Sequence, residues 1–191
     1  MKKILYKIDF YNFWHAGSGL SGATYADSLV NKDEKNLPFI PGKTIKGLIR
    51  DAAEQINDLD SEISFTAYLK KVFGVNPEEL KNEKNNFENE GCAFFTDATL
   101  SKYLSDNILK NGLTQELYQV ISSTQIDKKG QAKDNSLRQM EVTVPLTLYG
   151  IIENFPEEYT HELEVSFNWI KRLGQNRNRG LGRCQFSLLK D

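Results

Sequence analysis

Cysteine is scarce in this 191-residue chain: Cys92 and Cys184 are the only two. That excludes a disulfide-stapled fold and favours a reducing compartment. Histidine is equally sparse. His15 and His161 share no zinc-ligand spacing with the cysteines, so no structural zinc is expected. Positive charge is not in excess either. Twenty-four Lys and Arg against 26 Asp and Glu leave a net charge of −2. This argues against nucleic-acid binding through bulk charge, but leaves room for a local basic track. The most apolar stretch, 142–152, is short and contains Pro145, so no membrane span is expected. Lys7 and Asp9 interrupt the segment that would have to be a signal-peptide core. P-loop spacing and solenoid repeats are both missing. A soluble cytoplasmic protein is the simplest expectation.

What is present fits one domain over 1–191, long enough to bury roughly 70% of its unfolded surface. Residues 3–14 alternate, with Tyr6, Ile8 and Phe10 on the inward face of a strand. A loop with Gly17, Gly19 and Gly22 follows, then a polar segment to Asn36. Pro41-Gly42 precedes Ile45, Leu48, Ile49 and Ala52 at helical spacing, predicting a helix to about Ile56. Residues 57–90 form an acidic insertion with a short helix at 65–73 and a solvated loop at 82–90. A short strand is expected at 91–95, while 101–117 is ambiguous. Two β-like runs, 118–123 and 140–152, flank a charged excursion at 124–139, which predicts a protruding hairpin. Residues 160–173 read either as a strand entering a helix or as a helix from about Glu162. A last strand covers 184–189.

The strongest chemical signal is C-terminal. Lys171, Arg172, Arg177, Arg179 and Arg183 occur without an intervening acid, interleaved with Gly174, Gly180 and Gly182. Arginine forks and glycine backbone N–H groups suit a phosphodiester chain. The alternative is a solvated basic turn. Lys43 and Lys46 in the first turn of the expected helix oppose its dipole unless an anion binds there. His15, in the glycine loop, is either a general acid–base group or a loop residue that stacks on a base or binds nothing. Asp27 and Asp33 are either metal- or hydroxyl-orienting groups or turn formers.

Four segments then form an ordered pattern: His15-Ala16-Gly17-Ser18-Gly19, the run from Leu37 through Pro41-Gly42-Lys43-Thr44-Ile45-Lys46-Gly47 to Arg50, Gly91 to Asp97, and Arg179-Gly180-Leu181-Gly182-Arg183. The second is the most specific. Together they resemble the RAMP superfamily, the RNA-binding proteins of CRISPR effector complexes, and most of all the small repeated backbone subunit of type III complexes. The resemblance spans nearly the whole chain. It implies an α+β fold with a ferredoxin-like βαββαβ core, insertions, and the 124–139 excursion as a thumb.

The resemblance also implies partners and roles. The partners are CRISPR guide RNA, target RNA, other RAMP subunits, the large complex subunit, and further copies of the chain along the guide. The RNA-contacting set would be His15, Gly17, Ser18, Gly19, Lys43, Lys46, Arg50, Met140, Arg177, Arg179, Gly180, Gly182 and Arg183. Met140 would wedge at the thumb's base. Asp27, thirteen residues ahead of Ile40, would support target-RNA cleavage with a divalent ion such as Mg; Asp33 competes for that role. The alternatives within the family are a capping subunit that does not cut, and a guide-processing endoribonuclease using His15. A small phospholigand-binding α+β domain stands outside it.

Overall fold

The computed structural model describes residues 1–22, 26–59, 65–75 and 90–189. Strand β1 (Lys2–Phe10) is central. It pairs antiparallel with β5 (Thr147–Phe155) on one side and β6 (Cys184–Leu188) on the other. Strand β2 (Phe94–Phe95) adds antiparallel to β5. The sheet order is therefore β2-β5-β1-β6. Helices α1 (Gly42–Leu59) and α4 (Thr160–Trp169) connect β1 to β2 and β5 to β6.

Alternation fixes which face is covered. Ile4, Tyr6, Ile8 and Phe10 are buried, as are Leu148, Ile152 and Phe186 from the neighbouring strands. They meet Ile45, Ile49, Ala52, Ala53 and Ile56 of α1 and Leu163 and Phe167 of α4. The Tyr6 ring packs against Phe167 at 5.7 Å and Phe186 at 6.3 Å. Gly150 lies opposite Tyr6 in the register, where a Cβ would strike that ring. The opposite face carries Leu5, Lys7 and Tyr149.

Helix α1 starts where expected, for a reason that lies far away in sequence. Asp97 Oδ1 accepts from Gly42 N–H at 2.8 Å. A Cβ on Gly42 would stand 2.0 Å from the Phe95 carbonyl oxygen, so only glycine allows this approach. A carboxylate thus already caps the helix N-terminus, and the Pro-Gly-Lys turn is not a vacant anion site.

The short helix at Phe65–Phe73 is present as α2 (Thr66–Tyr68) running into a π-turn (Leu69–Phe73). It belongs to the core: Phe65, Tyr68, Val72 and Phe73 are buried. The expected loop at 82–89 lies outside the described residues. The ambiguous 101–117 stretch holds α3 (Lys102–Lys110), capped by Ser101 Oγ on Leu104 N–H. Gly112, at φ 66°, follows its end. Residues 160–169 are helical, as in the second of the two expectations.

The apolar run 140–152 is not one strand. Pro145 breaks it into β4 (Arg138–Thr143) and β5, which belong to different sheets. Strand β4 pairs antiparallel with β3 (Tyr118–Ser123) as a separate two-stranded ribbon. Its connection, 124–137, is almost wholly exposed, so the hairpin protrudes.

Candidate nucleic-acid interface

One edge of β4 pairs with β3. The other is covered by two loops that follow β1. Trp14 and Thr143 exchange backbone hydrogen bonds at 3.1 and 2.8 Å. Further along, Asp27 N–H donates to Gln139 O at 2.8 Å, and Glu141 N–H to Ser28 O at 3.0 Å. Gln139 N–H in turn donates to Asp27 Oδ2 at 2.7 Å. Asp27 is thus exposed but held at the hairpin root, beside Met140. Asn176, from the glycine-rich C-terminal loop, donates to Met140 Sδ at 3.4 Å. Three segments far apart in sequence meet here.

Asp33 is placed differently. Its Oδ1 accepts from Lys35 N–H at 2.9 Å and Leu37 N–H at 2.8 Å. It closes the 33–37 turn, which leaves Asp27 as the aspartate at the junction.

His15 has no exposed surface. Its Nδ1 lies 2.6 Å from the Glu141 carbonyl oxygen, which only accepts, so Nδ1 carries a proton. Nε2 meets Ser28 Oγ at 3.0 Å. Neither nitrogen faces solvent, so the expected acid–base or RNA-contacting His15 is corrected to a residue that ties the Asp27 loop to β4. Ser18 is similarly engaged: its hydroxyl donates to Leu29 O and accepts from Leu20 N–H. Gly17 and Gly19 are exposed in the same loop.

Glu141 completes the lock. It is fully buried and accepts from Val30 N–H at 3.1 Å and from Lys32 Nζ at 2.7 Å. Lys32 Nζ also sits 3.9 Å from the Tyr118 ring centroid. Burial, then the Glu141 charge, push the Tyr118 hydroxyl above its ordinary pKa. Sequence spacing does not reveal a pair 109 residues apart.

The C-terminal track is exposed at Lys171, Arg172, Arg177, Arg179 and Arg183. None has a carboxylate within 4.0 Å among the described residues. By contrast, Lys3 and Lys7 at the open sheet are paired with Glu153 and Asp9, each at 2.8 Å. The C-terminal loop therefore carries unpaired positive charge, whereas Lys3 and Lys7 on the sheet are paired. Arg179 shares with Arg138 a cleft of about 560 Å³ at the hairpin. Arg138 was missed in the sequence, although its place two residues before Met140 was a usable signal.

The glycines of this loop mostly serve the chain itself. A Cβ on Gly182 would stand 1.9 Å from Leu173 O, and one on Gly174 2.3 Å from His15 O. The Gly182 N–H donates to Phe13 O at 2.8 Å. It is therefore not a free anion donor, contrary to expectation. Gly180, at φ 91°, has open space around its Cα.

Lys43, Lys46 and Arg50 do not join the track. At 100° per residue they form one stripe of α1, and Leu48 and Gln55, which line a groove with Arg172 and Arg177, lie on its far side. Arg50 pairs with Glu54 at 2.8 Å and borders a different cleft, with Leu69 and Lys70. Burial, with Arg50 beside it, lowers the Lys46 pKa. No cluster of three or more His, Cys, Asp or Glu occurs among the described residues. Burial pushes the Cys184 thiol up to about 12, which does not suit a metal ligand or nucleophile. None of the described helices is long and apolar enough to cross a membrane.

The arrangement offers an exposed carboxylate, a thioether and unpaired guanidiniums around one protruding ribbon, a combination suited to a phosphodiester chain. Comparisons with known proteins agree on the fold. A chain of the Type III-B Cmr-beta complex, solved by cryo-EM bound to cognate target RNA, superposes with a TM-score of 0.71 at 11% identity. The match covers 98% of this chain and 97% of that one. A chain of the same complex in the apo state gives 0.70 at 15% identity, covering 99% and 98%. No curated protein sequence matches. The RAMP superfamily model matches residues 7–185, and the chain belongs to the RAMP superfamily.

Proposed function

We propose that the chain is an RNA-binding subunit of a type III-like CRISPR effector complex, placed along the guide with neighbouring copies. The sheet order β2-β5-β1-β6, with α1 and α4 on one face, is read as a ferredoxin-like βαββαβ core. The β3–β4 hairpin is read as its thumb. The observation that carries the reading is the convergence of Asp27, Met140, Asn176, Arg138 and Arg179 at the hairpin root. Guide phosphates would lie on Arg177, Arg179 and Arg183. Met140 would support a displaced base, unstacking costing a few kcal/mol offset by apolar contact.

Asp27 would act on target RNA. The 2′-hydroxyl oxygen attacks the adjacent phosphorus, and the P–O5′ bond breaks. The products are a 2′,3′-cyclic phosphate and a 5′-hydroxyl, which takes up a proton as the 2′-hydroxyl loses one. Asp27 Oδ2 is engaged by Gln139, and the exposed carboxylate orients the attacking hydroxyl. A single carboxylate fits a magnesium ion only when RNA phosphate and water supply its other ligands; such an ion would stabilise developing charge.

The test is co-expression with a CRISPR array, purification, and incubation with matching target RNA. Guide-length RNA in a large particle is expected. Asp27→Asn, which keeps an acceptor for Gln139, should lower cutting by about 10²-fold or more with target binding unchanged. A particle without RNA defeats the binding reading, and unchanged cutting defeats the Asp27 assignment.

A further inference from the structure

One groove beside the basic track shares only Arg177 with the proposal above. It encloses about 310 Å³ between α1 and the segment leaving α4. Leu48, Ala52 and Gln55 form one wall; Trp169, Arg172 and Arg177 form the other. Trp169 ends α4 with 45% of its surface exposed. Its indole N–H, the ring's only polar group, donates to Gln55 Oε1 at 3.0 Å. The hydrogen bond orients the ring and leaves only apolar π surface for a ligand. Arg172 Nη1 donates to the Arg177 carbonyl at 2.6 Å, joining the groove to the glycine-rich loop.

We infer that this groove is a nucleobase platform: a base of single-stranded RNA stacks on Trp169 while its flanking phosphates lie on Arg172 and Arg177. An exposed tryptophan is also a common anchor for a protein partner. The charges here favour RNA. Among the described residues, Arg172 and Arg177 lack carboxylate partners and Asp51 is the only acid lining the groove. An apolar peptide seated there would desolvate both guanidiniums uncompensated, whereas a nucleotide supplies the ring and the anion together. The inference rests on the RNA-binding reading and adds to it a second contact, on the α1–α4 side away from the hairpin.

Fluorescence tests it directly. The chain has two tryptophans, and Trp14 is fully buried, stacked on Phe10 at 4.5 Å. A change in emission on RNA binding therefore reports Trp169. The full chain is titrated with a labelled oligouridylate, following tryptophan emission and RNA anisotropy together. Quenching that saturates with the anisotropy is expected. Trp169→Leu should weaken affinity about 5- to 100-fold, and Trp169→Phe by less. RNA bound with unchanged tryptophan emission, or with equal affinity in Trp169→Leu, overturns the platform and leaves the RNA-binding reading intact. No RNA bound, either by the chain or by its purified particle, overturns both. The wild-type emission arm needs no variant, so a misfolded substitution does not shield the inference.

Discussion

Removing the Glu141 carboxylate should unlock the loop that carries Asp27. Glu141 keeps 1% of its side chain exposed and Lys32 27%. In Glu141→Ala, Lys32 loses its 2.7 Å partner and Val30 N–H its 3.1 Å acceptor. Breaking a buried pair from one side costs about 3–5 kcal/mol. Because Lys32 retains partial hydration, the low end of that range applies. At an m-value of about 2 kcal/mol/M, the urea midpoint should fall by roughly 1.5 M. Glu141→Gln keeps an acceptor for Val30 and should lose less. Adding Lys32→Met to Glu141→Gln should recover stability, since no charge then remains buried without a partner. Urea unfolding followed by circular dichroism of the wild type, the two Glu141 variants, Lys32→Met alone and the double variant reads all these values. A Glu141→Ala shift below about 0.3 M would refute the lock, and so would strict additivity of the double variant.

Two further outcomes follow from packing and titration. Gly182→Ala places a Cβ 1.9 Å from Leu173 O at φ 69°, whereas Gly180→Ala at φ 91° meets open space. Gly180→Ala should therefore cost only the left-handed backbone term, about 1–2 kcal/mol, and Gly182→Ala about 1–3 kcal/mol more; equal urea midpoints would contradict this. Burial raises the Cys184 thiol from 9.0 to about 12 and the Tyr6, Tyr68 and Tyr118 hydroxyls above 10.0. Each neutral form is favoured in the folded chain, so their contribution is complete below about pH 9 and is lost as pH rises through the folded values. Thermal melting should stay level from pH 7 to about 9 and then fall steeply; a midpoint still level at pH 11 would be the contrary result.

Local pattern carried much of the fold. The Tyr6-Ile8-Phe10 alternation and the Pro41-Gly42 helix start are both present in the structure. So are the hairpin around 124–137 and the final strand. Pattern failed where the deciding partner was remote. The run 140–152 is mostly apolar or β-branched on both sides of Pro145, so its period does not tell that Pro145 sends its halves to different sheets. His15 looks solvent-facing in a glycine loop until Glu141, 126 residues away, covers it. The loop glycines read as free donors, but Gly174 and Gly182 are required by carbonyls of His15 and Leu173, which no local spacing displays. Helical periodicity did contain one correction: Lys43, Lys46 and Arg50 share a stripe of α1 that faces away from Leu48 and Gln55, so they do not converge with the C-terminal arginines.

The distribution of charge makes the proposed polyanion binding compatible with a net charge of −2. At the open sheet, Lys3 and Lys7 are matched by Glu153 and Asp9, and on α1 Arg50 is matched by Glu54. Acids within 4 Å reduce the field that a distant phosphate feels, and salt screens exposed charges beyond about a Debye length. The C-terminal arginines have no such neighbours among the described residues, so their field acts on whatever approaches the C-terminal loop, which meets the hairpin root through Asn176 and Arg179. Asp27 sits at the edge of that field with its backbone paired to Gln139. A carboxylate so placed repels phosphate and does not aid general affinity. Under the proposed cleavage reading, binding and cutting should therefore separate when Asp27 alone is changed.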